Sequence, residues 1–483
     1  SWLKVEGKMA KIEKVDDYTV RYKFAAPYWG FIHNLDSTSF RGTMNYGFIP
    51  AHALKKYHIK YNPDANELAK EAGYDYWYQL FSQKSDFSIA QVPEGIPTLN
   101  AWIVKQTTPT GVIFERNPYY FKVDPEGNQL PYIDKINTTY FNDSETHKMN
   151  LLSGAIDYEG WGTAITDYPI FKKNEEAGNY NAWLGLDLWP AAAAYRVNQN
   201  YSEDPVLGKL LKNKKFRHAL SLAIDRDDIN QVIGLDNGVP RQATFHPNVP
   251  GYKEEWAKSY SDFNPEKAKQ LLDELDLDQK NKNGWRLRPD GKVLTLQIVL
   301  TNDMPYWPSI TDIVRDNWRN IGIKADMRIM DREYFGTFTE AARHQISTWV
   351  IDNASNPSFI YGTGFSFAPS GAWAPEWYSW LNTDGEEGTE PPEKMKKLYE
   401  WSNQLRYVNP DKQKELIHKI GDTNAEEVFI IGTVGMMGKP IIANKDLGNI
   451  SRKAAADNAD VGGVRNQWLE QAYWKNAEKR SSN

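Results

Sequence analysis

The stretch 294–330 limits the possible folds more than any other. Residues 294–300 form an apolar run of strand length. In 308–321, Ile310, Ile313, Val314 and Ile321 fall on one face at helical spacing, and Gly322 stops that helix. Residues 323–330 read as the next strand. Strand, helix and strand in succession predict a mixed α/β lobe. At 215–229, Phe216, Ala219, Leu220, Ala223 and Ile224 recur at helical spacing and predict a helix. Arg217 and Asp225 lie on roughly one side of it, placed to clamp a ligand or, more ordinarily, to tie the helix to its domain. Asn264-Pro265-Glu266 opens a capped helix, and 393–407 and 410–420 give two more.

A chain of 483 residues exceeds what one core supports, so two or three domains are expected. No run is apolar and long enough to span a membrane. The formal charge of −6, with no basic block, argues against nucleic acid as a partner. The absence of cysteine excludes disulfides and thiolate chemistry. Eight histidines without ligand spacing point to no metal, and Asn281-Lys282-Asn283-Gly284 puts lysine where a calcium loop needs anionic oxygen. No cofactor is required. The outlying feature is aromatic: 18 Trp, 27 Tyr and 19 Phe. Rings with a flat apolar face and a polar rim suit sugars and extended peptides, although most should be core.

Residues 116–134 read RNPYYFKVDPEGNQLPYID: strand end, aromatic elbow, Asp-Pro-Glu-Gly-Asn turn, strand start. This block resembles one found in extracellular solute-binding proteins of family 5, the peptide and sugar receptors of ABC importers, in the subgroup that includes oligosaccharide receptors. Similar blocks occur at Asp16-Asp17-Tyr18-Thr19-Val20, Ile49-Pro50-Ala51-His52, 144–157, 215–229, 349–357 and 371–392, spanning nearly the whole chain. The resemblance implies an α/β fold of the two-lobed periplasmic-binding-protein type (type II), with mixed sheets and flanking helices. It divides the chain into 1–95, the remainder of an extra N-terminal domain; 96–188, the first lobe; 189–440, the second lobe; and 441–483, a return to the first lobe and a tail. In relatives a signal peptide and part of the first lobe's sheet precede the DDYTV block, so the resemblance also implies a fragment with an incomplete first lobe.

Trp349 and Asp352 match the family's tryptophan followed three residues on by an aspartate that receives a peptide's amino terminus. Asn356 stands where many relatives carry a second acid. Asp352 capping a turn after a strand fits the residues equally well. Trp373 and Trp377, four apart, would share a helical face as a stacking platform or fill the core. Trp29, Trp161 and Trp189 are weaker candidates. The resemblance implies a receptor for an extracellular oligosaccharide, held between two lobes by stacking and hydrogen bonds; the alternative is an oligopeptide held at Asp352. It further implies an ABC permease partner, a monomer, and a place in the periplasm or on the outer face of a bacterial membrane. No nucleophile elbow, phosphate loop or metal motif appears, so an enzyme, such as a glycoside hydrolase with two carboxylates across a cleft, is not expected.

Overall fold

The structure is a computed structural model that describes residues 3–32, 49–85, 95–160, 162–351, 354, 367–453 and 469–476. Trp161, Asp352 and the end of the chain from 477 lie outside the described residues. Two compact units emerge: 1–34, 164–166 and 186–439 form unit 1, and 35–163, 167–185 and 440–483 form unit 2.

Unit 1 is built on a five-stranded sheet. Its strands are β1 (Ala191–Val197), β2 (Thr295–Thr301), β3 (Lys324–Met330), β4 (Ile346–Ile351) and β5 (Ile430–Gly432), in the order β3-β2-β4-β1-β5. β2 runs parallel to both β3 and β4, while β1 runs antiparallel to β4 and β5. Parallel neighbours need a crossover, which α3 (Trp307–Asn320) makes from β2 to β3 and α4 (Arg332–Glu340) from β3 to β4. The sequence dictates α3 closely: Trp307, Ile310, Thr311, Val314 and Trp318 are its buried face, and Gly322 ends it at φ +87°. The alanines of β1, all fully buried, let large rings approach the backbone, and the Trp307 indole N–H donates to the Ala192 carbonyl at 2.9 Å.

The region 215–229 departs from expectation. Instead of one helix it forms α1 (Lys214–Leu222) and α2 (Arg226–Val232), because the Asp225 carboxylate caps the second by accepting from the Asp228 N–H at 3.0 Å. Arg217 therefore has no shared side with Asp225. It is fully buried and ties α1 to the end of the helix Pro410–Glu427 through Glu427, at 2.9 Å. The helix Pro265–Asp273 is capped by Asn264 as read, and Pro410–Glu427 continues past the expected stop at 420. Asn281 accepts from the N–H groups of Asn283 and Trp285, so the 281–284 loop is a closed turn.

Unit 2 contains an antiparallel sheet of Trp102–Thr108, Gly111–Arg116 and Lys135–Thr139. The block after Arg116 folds back on itself: the Arg116 N–H donates to the Asp134 carbonyl at 2.7 Å, and buried Asn117 donates to the carbonyls of Thr98 and Asn100. Tyr132 donates to Asp124 across the turn at 2.6 Å. Tyr120 is buried beside Glu470, whereas Tyr119 is 88% exposed. The elbow is thus packing on one side only. The helix Ala65–Glu71 follows a turn in which the Asn62 side chain accepts from the Asp64 N–H.

Candidate functional site at the carboxyl edge of the unit 1 sheet

In open α/β sheets, ligands bind outside the carboxyl ends of the strands. In unit 1 that edge lies after Thr301, Met330 and Ile351, and beside the segment entering β1, since Ala191 pairs with Ile351. The sequence sends a distinctive set of side chains there. β2 is followed by Asp303, Tyr306 and Trp307, β3 by Asp331 and Arg332, and β4 carries Trp349 near its end. Before β1 come Asp187 and Trp189.

Trp349 is half-buried and packs on the cluster of Val299, Met330, Phe335 and Phe338. Phe335 stacks on it with centroids 5.8 Å apart at 27°, and Trp307 meets it at 5.1 Å and 56°. The Arg332 guanidinium lies 4.9 Å from the ring centroid and pairs with Asp303 at 3.1 Å. Asp303 also accepts from the Thr301 hydroxyl at 2.7 Å, which fixes the carboxylate. Asp331 caps α4 by accepting from the N–H groups of Glu333 and Tyr334. That cap sets the helix start that carries Arg332 to the indole.

Trp189 is buried, and the Lys439 ammonium sits 3.2 Å from its ring centroid while pairing with buried Asp187 at 3.2 Å. The Met436 N–H donates to the Trp189 carbonyl at 2.6 Å. Gly435 permits this approach, since a Cβ there would collide with the Pro190 carbonyl. Burial, and then the Asp187 charge, push the Tyr306 hydroxyl far above the usual phenol range, so it stays a neutral donor. The four charges Asp187, Lys439, Asp303 and Arg332 form two opposite-sign pairs. A flat indole bordered by a guanidinium and the fixed carboxylate paired with it is chemistry suited to a ring bearing many hydroxyls.

The other sequence candidates sit elsewhere. Trp373 is 0% exposed and stacks on Phe429, centroids 4.5 Å apart at 13°, in a core cluster of unit 1. Trp377 belongs to the same cluster. The expected shared helical face does not form, because the helix Pro375–Asn382 begins between the two residues. A fully buried, stacked ring has no face for a ligand. Trp29 is 59% exposed, on a segment whose Gly30 N–H donates to the Arg406 carbonyl at 2.8 Å. Near it, a shallow groove of about 770 Å³ is lined by Tyr22, Phe24, Tyr28 and Phe31, whose rings pack against one another. Asp303, Tyr306, Trp307, Arg332 and Lys439 escaped sequence reasoning. Position just after an apolar strand was the available signal for the first four.

The model for bacterial extracellular solute-binding proteins, family 5 (middle region), matches residues 2–371. The chain belongs to that family. A periplasmic alpha-galactoside-binding protein of Rhizobium meliloti (strain 1021) is 24% identical over 472 residues, covering 92% of this chain and 62% of the relative. The chain thus spans about three-fifths of that relative's length. Among solved structures, an oligopeptide-binding protein OppA has a TM-score of 0.65 at 30% identity, covering 96% of this chain and 75% of its own. The periplasmic binding protein MelB of Agrobacterium fabrum C58, in complex with stachyose, has a TM-score of 0.69 at 18% identity, covering 97% and 67% respectively. The fold is therefore that of the family 5 periplasmic binding proteins, and these relatives are all named for binding. Among the described residues of this family 5 chain, no helix is long and apolar enough to cross a membrane.

Proposed function

We propose that this chain is a substrate-binding receptor of an ABC importer that captures an extracellular oligosaccharide, working as a monomer with a permease in the periplasm or at the outer face of a bacterial membrane. Trp349 is the stacking platform, and Asp303 and Tyr306 supply polar contacts. One observation carries the reading: a half-buried indole at the carboxyl edge of parallel strands, bordered by side chains that donate to and accept from hydroxyls. Family membership supports the receptor role, and the galactoside-binding relative supports an α-galactoside as the sugar class.

The second reading is an oligopeptide receptor in which Asp352 holds the amino terminus. Its support is the likeness to OppA and the Trp349 and Asp352 spacing in the sequence. A thermal-shift panel of α-galactosyl oligosaccharides against short peptides separates the two, since ligand at ~100 times its Kd adds about 2.7 kcal/mol to stability. The oligosaccharides should raise the melting temperature. A rise with peptides alone would reverse the preference.

A further inference from the structure

We propose that Arg332 is a displaceable cap on the ligand-stacking face of Trp349, latched by Asp303, and that it tunes how tightly a neutral sugar ring is received; this rests on the reading of Trp349 as the platform. The indole has an inner and an outer environment. Trp307 and Phe335 are buried and form the inner one. The Arg332 side chain is 66% exposed yet keeps its guanidinium 4.9 Å from the centroid, so it covers the ring from the solvent side. A pyranose in stacking contact needs its carbons about 3.5–4 Å from the ring atoms. Guanidinium and sugar cannot share that space, so one must leave.

The latch is suited to letting go. Asp303 is held in place by Thr301, so it keeps a partner when the guanidinium departs. An exposed ion pair and an exposed cation–π contact are each weak and the pair is screened by salt, so the cap opens readily but still competes with the ligand. A ligand bringing an ammonium to this face meets like charge from the cap, whereas a neutral ring meets none. Arg332 therefore biases the platform towards uncharged ligands.

Calorimetric titration with an α-galactosyl oligosaccharide tests the cap. Arg332→Ala should bind about three- to tenfold more tightly than the unaltered protein. Raising salt should tighten binding by the unaltered protein and leave Arg332→Ala unchanged. Ligand-free quenching by acrylamide gives an independent readout: the Trp349 contribution, isolated by difference against Trp349→Phe, should be quenched more in Arg332→Ala. Weaker or unchanged sugar binding by Arg332→Ala, or equal quenching, would overturn the cap. Increased quenching in a protein that binds no oligosaccharide would support the cap and overturn the oligosaccharide reading instead.

Discussion

Trp349 and Trp373 are the same residue in the same unit, and their surroundings differ sharply. Trp373 lies flat on Phe429 inside a core cluster of unit 1, with no exposed surface. Trp349 stacks on Phe335 as well, but it is half-buried near the carboxyl end of its strand, and the Arg332 guanidinium lies over its ring. The first arrangement spends the whole ring on cohesion. The second leaves the ring half-buried beside an exposed charged side chain. Binding capacity in an aromatic-rich protein thus depends on what covers the ring, more than on how many rings there are.

The contrast should be plain in mutants. Trp373→Ala should produce the largest effect, a loss of about 3–5 kcal/mol in stability measured by urea unfolding, as for other large-to-small changes in a packed core. A pH effect on the Trp373 side comes next. His344 is fully buried, with Nε2 3.1 Å from the carbonyl of Ala372, and burial lowers its pKa to about 4 from an ordinary 6.5. The unfolded chain takes up this proton first as pH falls. The stabilisation is therefore complete above about pH 6.5 and is lost towards pH 4, on the order of 3 kcal/mol. Urea midpoints should fall across that window, and less steeply in His344→Gln.

Trp349→Ala should reverse the pattern. It should weaken oligosaccharide binding about 30-fold, the equivalent of ~2 kcal/mol of lost apolar burial, while costing less stability than Trp373→Ala. The smallest effect on stability should come from Arg332→Ala, within about 1 kcal/mol because its ion pair is exposed. A loss above that in thermal unfolding would mean that Arg332 is structural and would erase the distinction between the two rings.

The elements that followed one clear periodicity could be read from the chain. The 294–330 unit was readable because its apolar residues alternate between strand and helix rules, with Gly322 as a stop. At 215–229 the apolar face masked a break that the Asp225 carboxylate makes by capping α2, and an acid there was the overlooked sign. The spacing of Trp373 and Trp377 suggested a shared helical face, but Pro375 at the helix start leaves Trp373 outside it. Trp349 was named as a candidate through its motif. Lys439 over Trp189 and Arg332 over Trp349 were not, because such contacts join residues that only folding brings together, and spacing along the chain carries no trace of them.

The most direct test is a calorimetric titration of the protein with stachyose, run in parallel on Trp349→Ala. A saturable one-to-one heat that weakens about 30-fold in the variant is the expected result. Sugar binding undiminished by the substitution, or heat from short peptides alone, would contradict it.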